Sequence, residues 1–139
     1  MPIALASTDA EINRCFPVMQ RLRPHLEATA FVERVRRQQQ EGYRLAYLED
    51  EGAIRSVAGF RIQEMLAWGR VLYVDDLVTA DVDRSSGYGG QLFDWIVEHA
   101  RANGCDQLHL DSGVQRFAAH RFYLCRRMEI SAHHFSLKL

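Results

Sequence analysis

Apolar side chains recur along the first forty residues with the spacing of helices. Thr8 places a hydroxyl three residues before the carboxylate of Glu11, an arrangement known as a capping box. Apolar residues then follow at intervals of three and four, and the Arg23-Pro24 step ends the pattern. A second helix is predicted from Phe31 to Gln40. This part of the chain therefore predicts two amphipathic helices.

Beyond Gly42 the apolar period shortens to two, which is the period of a strand. The stretch from Val71 to Val78 is apolar on both faces, which indicates a strand buried inside the sheet. Two later helices are predicted, one after the glycines at 87–90 and one from Phe117 to Arg126. Strands are predicted at 3–6, 43–48, 54–62, 71–78, 107–111 and 135–139.

This order of elements predicts an α/β fold of the α+β kind, a mixed and mostly antiparallel sheet with helices on both faces. A meander of three strands and one β-α-β crossover account for its connections. The length of 139 residues suits one core, so a single domain spanning 1–139 is expected.

Charge and composition narrow the classes of partner. The net charge is -1, from 17 basic and 18 acidic side chains, so no bulk positive field recruits nucleic acid or anionic lipid. No apolar run approaches the roughly 20 residues of a membrane span, and the start of the chain lacks a signal-peptide core. A cytoplasmic protein without nucleic-acid or membrane partners is expected. Three cysteines without a C-x-x-C pair predict buried free thiols, and no metal site is expected.

A glycine-rich segment connects the buried strand to the following helix. Glycines permit positive φ and close approach to a ligand, and the N–H groups of such a loop and of a helix N-terminus attract anions. The pattern predicts a phosphate or pyrophosphate site, although a tight turn without a ligand is the simpler alternative. Neither a P-loop nor a G-x-G-x-x-G fingerprint occurs. The segment comprises Arg84, Ser85, Ser86, Gly87, Tyr88, Gly89 and Gly90.

Two motifs resemble those of the GNAT superfamily of acetyl-CoA-dependent N-acetyltransferases. Arg84-x-x-Gly87-x-Gly89 is similar to the family's pyrophosphate loop, Q/R-x-x-G-x-G/A, and the residues from Ala119 to Tyr123 are similar to its A-x-x-F/L-Y helix. The motifs have the family's separation and cover about a third of the chain. Arg127-Met128 departs from the family pattern, which often has Gly-Phe there.

The resemblance implies transfer of an acetyl group from acetyl-CoA to a primary amine of a small molecule or peptide, by direct attack in a ternary complex. The N–H groups of 85–90 would hold the pyrophosphate, with Arg84 at the rim. The pantetheine arm would lie beside Leu77, Val78 and Thr79, at a bulge in the strand. The N–H of Leu77 or Val78 would polarise the thioester carbonyl. The alternative function is a non-catalytic sensor that binds CoA or acyl-CoA.

Catalytic roles are also implied by the resemblance. Asp75 and Asp76 stand where the family often has Glu-Asp, whose Glu is often the proton acceptor, and Asp75 is one methylene shorter, so a bridging water is expected. Alternation along a strand predicts that the two side chains point to opposite faces. Tyr123 matches the tyrosine that protonates the leaving thiolate. Each residue has a structural alternative, a carboxylate satisfied by an arginine or turn N–H groups for the aspartates and a core side chain for the tyrosine.

Three further features leave alternatives open. His109 is the next candidate base, or a hydrogen-bonded structural histidine. Arg34, Arg36 and Arg37 predict a solvated helix face, although the resemblance implies that this region borders the acceptor. The predicted strand at 135–139 leaves an edge that can pair with a second copy, so a homodimer is expected.

Overall fold

The computed structural model describes residues 2–80 and 86–139, and the chain falls into two compact units, Met1–His109 and Leu110–Leu139. Arg84 and Ser85 lie outside the described residues. The elements are β1 Ile3–Leu5, α1 Asp9–Leu22, α2 Ala28–Gln39, β2 Arg44–Asp50, β3 Ala53–Met65, β4 Gly69–Thr79, α3 Tyr88–Ala102, β5 Gln107–Leu110 and α4 Phe117–Cys125.

The capping box at the start of α1 is confirmed. The Oγ1 of Thr8 accepts the backbone N–H of Glu11 at 3.1 Å, and Oε1 of Glu11 accepts the backbone N–H of Thr8 at 2.9 Å. These two bonds satisfy donors that a helix start otherwise leaves without partners. The helix ends at Arg23 as predicted, whereas α2 begins at Ala28 rather than Phe31.

The sheet has the strand order β1-β2-β3-β4-β5, and the first three neighbouring pairs are antiparallel. Val57 of β3 belongs to the core formed with α1 and α2. Phe60, an odd number of residues further along the same strand, instead packs its ring against Trp95 and His99 of α3. Because side chains alternate along a strand, the helices cover opposite faces of the sheet.

A β-bulge interrupts the pairing of β3 with β4. Gly59 pairs with Asp76 and Phe60 pairs with Val74, which leaves Asp75 without an opposite residue. An extra residue in one strand breaks the alternation of its side chains. The prediction that Asp75 and Asp76 point to opposite faces is therefore wrong, since both carboxylates reach the same cavity.

The predicted closing strand at 135–139 is not formed. The side chains of Phe135, Leu137 and Leu139 are exposed, and none of these residues belongs to a strand. Alternation indicates a strand only where a neighbouring strand supplies hydrogen bonds, and no described strand pairs with this segment. Dimerisation through its edge stays a prediction.

The three cysteines are free, but they differ in exposure. Cys15 is buried in α1, and burial raises the pKa of its thiol to about 12. Cys105 is half-buried and Cys125 is exposed, so the prediction of buried thiols is right for Cys15 alone. Within the described ranges, none of the helices combines the length and apolar character needed to cross a bilayer.

Candidate active site

A cavity of about 430 Å³ opens between α1, α2 and the end of β4. Its walls bring together residues from four separate parts of the sequence, including both candidate aspartates. It is lined by Met19, Arg23, His25, Leu26, Phe31, Arg34, Val35, Gln38, Tyr43, Tyr73, Asp75 and Asp76.

Asp76 is held on both carboxylate oxygens. Its Oδ1 accepts from Nε of Arg23 at 3.0 Å, and its Oδ2 accepts from the phenol of Tyr43 at 2.8 Å. Burial raises the pKa of Tyr43, so this phenol is a donor at neutral pH. Arg23 also donates to the backbone oxygen of Asp75 at 3.0 Å. This is the structural alternative considered for Asp76, a carboxylate satisfied by an arginine.

Asp75 differs from Asp76 because one of its carboxylate oxygens accepts no hydrogen bond from a described residue. Its Oδ2 accepts from Nε of Arg61 at 2.9 Å, whereas Oδ1 is buried and has no hydrogen-bond partner among residues 2–80 and 86–139. Burial raises the pKa of Asp75, and the Arg61 guanidinium opposes that rise. A buried carboxylate oxygen without a donor is costly, and a proton from an amine or a water would satisfy it.

Arg61, Tyr43 and Arg23 form a supporting group that sequence reasoning missed. The guanidinium of Arg61 also donates to Oε1 of Gln38 at 2.9 Å and lies over the ring of Tyr43, 5.4 Å from its centroid. One signal was available in the sequence. A cation between Phe60 and Ile62, inside a long apolar strand, requires a buried partner.

The start of α3 lies against the end of β4. Gly87 precedes the helix with φ 81°, a left-handed conformation that favours glycine. A side chain at Gly89 would bring its Cβ to 2.8 Å from Oγ1 of Thr79, so a larger residue there would require the Thr79 side chain to move. The hydroxyl of Thr79 is itself 3.1 Å from that of Ser56.

The first turn of α3 has a composition that suits an anion. It contains no acidic residue, and no described side chain caps the helix. The N–H groups of a first turn have no partner within their own helix, and they carry partial positive charge. Ser86, Gly87, Tyr88, Gly89 and Gly90 therefore form a segment that is chemically suited to a phosphate, and the phosphate site itself stays a prediction.

The remaining candidates have other surroundings. Tyr123 lies on α4 in the second unit, where burial raises the pKa of its phenol and Arg116 opposes the rise. His109 stacks on Trp68 with ring centroids 3.7 Å apart, and its Nε2 lies 2.6 Å from Oε1 of Gln107. It does not line the cavity. In the part of the chain that is described, no group of three or more His, Cys, Asp or Glu residues is placed to bind a metal.

Comparison with known proteins places this geometry in context. The sequence profile described as "Acetyltransferase (GNAT) family" matches residues 6–127. A Bacillus subtilis (strain 168) protein named "Uncharacterized N-acetyltransferase YhdJ" is 38% identical over 109 residues, which cover 78% of this chain and 77% of that protein.

Solved structures show the same fold. A ribosomal-protein-alanine N-acetyltransferase from Brucella melitensis biovar Abortus 2308 superposes with a TM-score of 0.85 at 14% identity, with 100% of both chains covered. A GNAT family acetyltransferase from Staphylococcus aureus subsp. aureus USA300_TCH1516 gives a TM-score of 0.84 at 16% identity, covering 99% of this chain and 98% of that chain. At these identities the likeness concerns the fold alone.

Proposed function

This chain belongs to the acetyltransferase (GNAT) family, and we propose that it transfers the acetyl group of acetyl-CoA to a primary amine by direct attack in a ternary complex. The observation that carries the proposal is the buried Oδ1 of Asp75, a residue of the cavity lining, which has no hydrogen-bond partner in the described part of the chain. An acetyl acceptor must lose a proton to react, and this oxygen is an available proton acceptor.

The cofactor half of the site rests on β4 and α3. The pyrophosphate of acetyl-CoA binds the N–H groups at the start of α3, from Ser86 to Gly90, together with Arg84 and Ser85. The pantetheine arm lies beside Leu77, Val78 and Thr79. Support comes from the left-handed Gly87, the close approach of Gly89 to Thr79 and the absence of acidic residues in the first turn.

The reaction forms one C–N bond and breaks one C–S bond. The nitrogen lone pair attacks the thioester carbonyl carbon, and the N–H of Leu77 or Val78 stabilises the developing oxyanion. The amine proton passes to Asp75, directly or through a water, and the CoA thiolate leaves with a proton from Tyr123. Asp76 positions the site through Arg23 and Tyr43 rather than accepting the proton.

The test is a thiol-release assay with acetyl-CoA and a panel of amines, run on the wild type and on Asp75→Asn. We expect wild-type turnover with at least one amine, and a loss of about 100-fold or more in kcat for the variant, since general bases contribute about 10²–10⁴-fold. Acetyl-CoA binding should remain in the variant. Binding without turnover in the wild type would favour the alternative of a non-catalytic CoA sensor.

A further inference from the structure

One arginine of the cavity wall has no carboxylate partner among residues 2–80 and 86–139, whereas its neighbours on the same helix have one. α2 carries Arg34, Arg36 and Arg37. Arg36 donates to Oδ1 of Asp9 at 2.7 Å and Arg37 donates to Oε1 of Glu33 at 3.1 Å, both on the outer surface. Arg34 lines the cavity and has no hydrogen bond or ion pair with any described residue.

Both carboxylates of the lining are paired with an arginine. Asp76 is bonded to Arg23 at 3.0 Å, and Asp75 is bonded to Arg61 at 2.9 Å. Arg61 is not itself a lining residue, and its Nη1 also lies 3.9 Å from Oε2 of Glu41. Of the two arginines that line the cavity, Arg34 is therefore the one without an ion pair in the described part of the chain. An acceptor whose only charges are positive would gain nothing there.

The same cavity has an apolar wall. Met19, Phe31 and Val35 are buried and Leu26 is half-buried, and all four face the opening from α1, α2 and the segment that links them. The volume of about 430 Å³ lies in the lower part of the range of sites that enclose small molecules. The volume of the cavity, the positive charge of Arg34 and the apolar wall suit a small amine that also has an anionic group and an apolar part.

We propose that the acceptor is a small amine that carries a carboxylate or phosphate, with the anion bound by Arg34 and the apolar part lying against Met19, Leu26 and Phe31. This inference rests on the proposed function, because it assigns the acceptor of that reaction. Guanidinium pairs with both kinds of anion through two parallel N–H bonds, which fixes the orientation of the ligand as well as its affinity. The amine is then directed toward Asp75.

The experiment measures thiol release from acetyl-CoA with two matched pairs of acceptors. L-phenylalanine and 2-phenylethylamine differ in the carboxylate, and phosphoethanolamine and ethanolamine differ in the phosphate. We expect the anionic member of at least one pair to have the higher kcat/KM, and the pair that responds identifies the anion. Each acceptor is measured with the wild type, Arg34→Gln, Arg34→Lys and Arg37→Gln.

Arg34→Gln should raise KM for the anionic acceptor about five- to ten-fold, which is the effect of losing one charged hydrogen bond at a partly exposed site. The kcat for that acceptor and the kinetics of the uncharged acceptor should not change. Arg34→Lys should recover part of the loss, and Arg37→Gln, which alters an outward-facing ion pair, should have no effect. A purely structural role of Arg34 would change both members of a pair equally, and that result overturns the proposal.

The remaining outcomes separate this inference from the proposed function. Equal or better turnover of the uncharged amines leaves the transferase assignment intact and refutes the anion site. Acetylation of a peptide N-terminus but of no anionic small amine also refutes it. Failure of every amine, together with failure to bind acetyl-CoA, refutes both.

Discussion

Replacing each of the two adjacent aspartates by asparagine should have a different main effect. Among the described residues, Asp76 has a donor on each oxygen, whereas Asp75 has a donor on one oxygen. We therefore expect Asp76→Asn to reduce mainly the free energy of unfolding, and Asp75→Asn to reduce mainly kcat. The pair is a matched comparison, because the residues are neighbours in one bulge and line one cavity.

The magnitude for Asp76→Asn follows from its contacts. The Asp76 side chain is 14% exposed and that of its partner Arg23 is 42% exposed, so solvent screens part of the ion pair. Losing the charge while keeping one acceptor should cost about 1–3 kcal/mol. At about 2.1 cal/mol/K of unfolding entropy per residue, 139 residues give about 0.3 kcal/mol/K, so Tm should fall by about 3–10 °C.

Asp75→Asn should change stability less. The raised pKa of Asp75 means that burial already disfavours its charged form, and a neutral amide removes that cost while losing part of the Arg61 contact. We expect a change below about 1 kcal/mol, since the two effects oppose each other. Turnover should fall about 100-fold or more, because an amide accepts no proton.

Denaturant unfolding gives the free energy of unfolding of both variants, and steady-state thiol release gives their kcat. The account requires the larger loss of stability in Asp76→Asn and the larger loss of kcat in Asp75→Asn. If Asp76→Asn abolished turnover at unchanged stability while Asp75→Asn kept full activity, the assignment of the base would be refuted.

Three further changes test other parts of the site. Arg61→Gln removes interactions that lower the pKa of Asp75. The acidic limb of the pH–kcat/KM profile should therefore move to higher pH, because activity is lost as pH falls through that pKa. An unmoved limb contradicts the base assignment. Gly89→Ala should weaken acetyl-CoA binding in calorimetry, because the Cβ of the new alanine would lie 2.8 Å from Oγ1 of Thr79. If this contact is the cause, adding Thr79→Ala to the same chain should restore the affinity. Tyr123→Phe should lower kcat about 100-fold with acetyl-CoA affinity unchanged, since burial keeps its phenol protonated at neutral pH; full turnover at all pH values would exclude the acid role.

Local patterns predicted local structure well. The capping box of α1 depends on Thr8 and Glu11 alone, so it could be derived from the sequence. A positive φ within the glycine segment could be derived as well, because glycine adopts it without strain, and the structure has it at Gly87. The glycine loop and the tyrosine helix were sufficient to indicate the family for the same reason.

Features that depend on pairing between distant strands could not be derived. The resemblance implied a bulge in this strand, but its position at Asp75 follows from the pairing of Gly59 with Asp76 and of Phe60 with Val74, which no pattern within β4 indicates. The bonds to Arg23 and Arg61 join residues far apart in the chain. The strand predicted at 135–139 failed for a related reason, because alternation cannot supply a neighbouring strand.

The most direct test of the central claim is a calorimetric titration of the protein with acetyl-CoA, with ATP as the control ligand. The account predicts micromolar affinity for acetyl-CoA and no measurable binding of ATP, because the proposed site includes contacts of β4 with a pantetheine arm, which ATP lacks. Absence of acetyl-CoA binding, or equal binding of ATP, would contradict it.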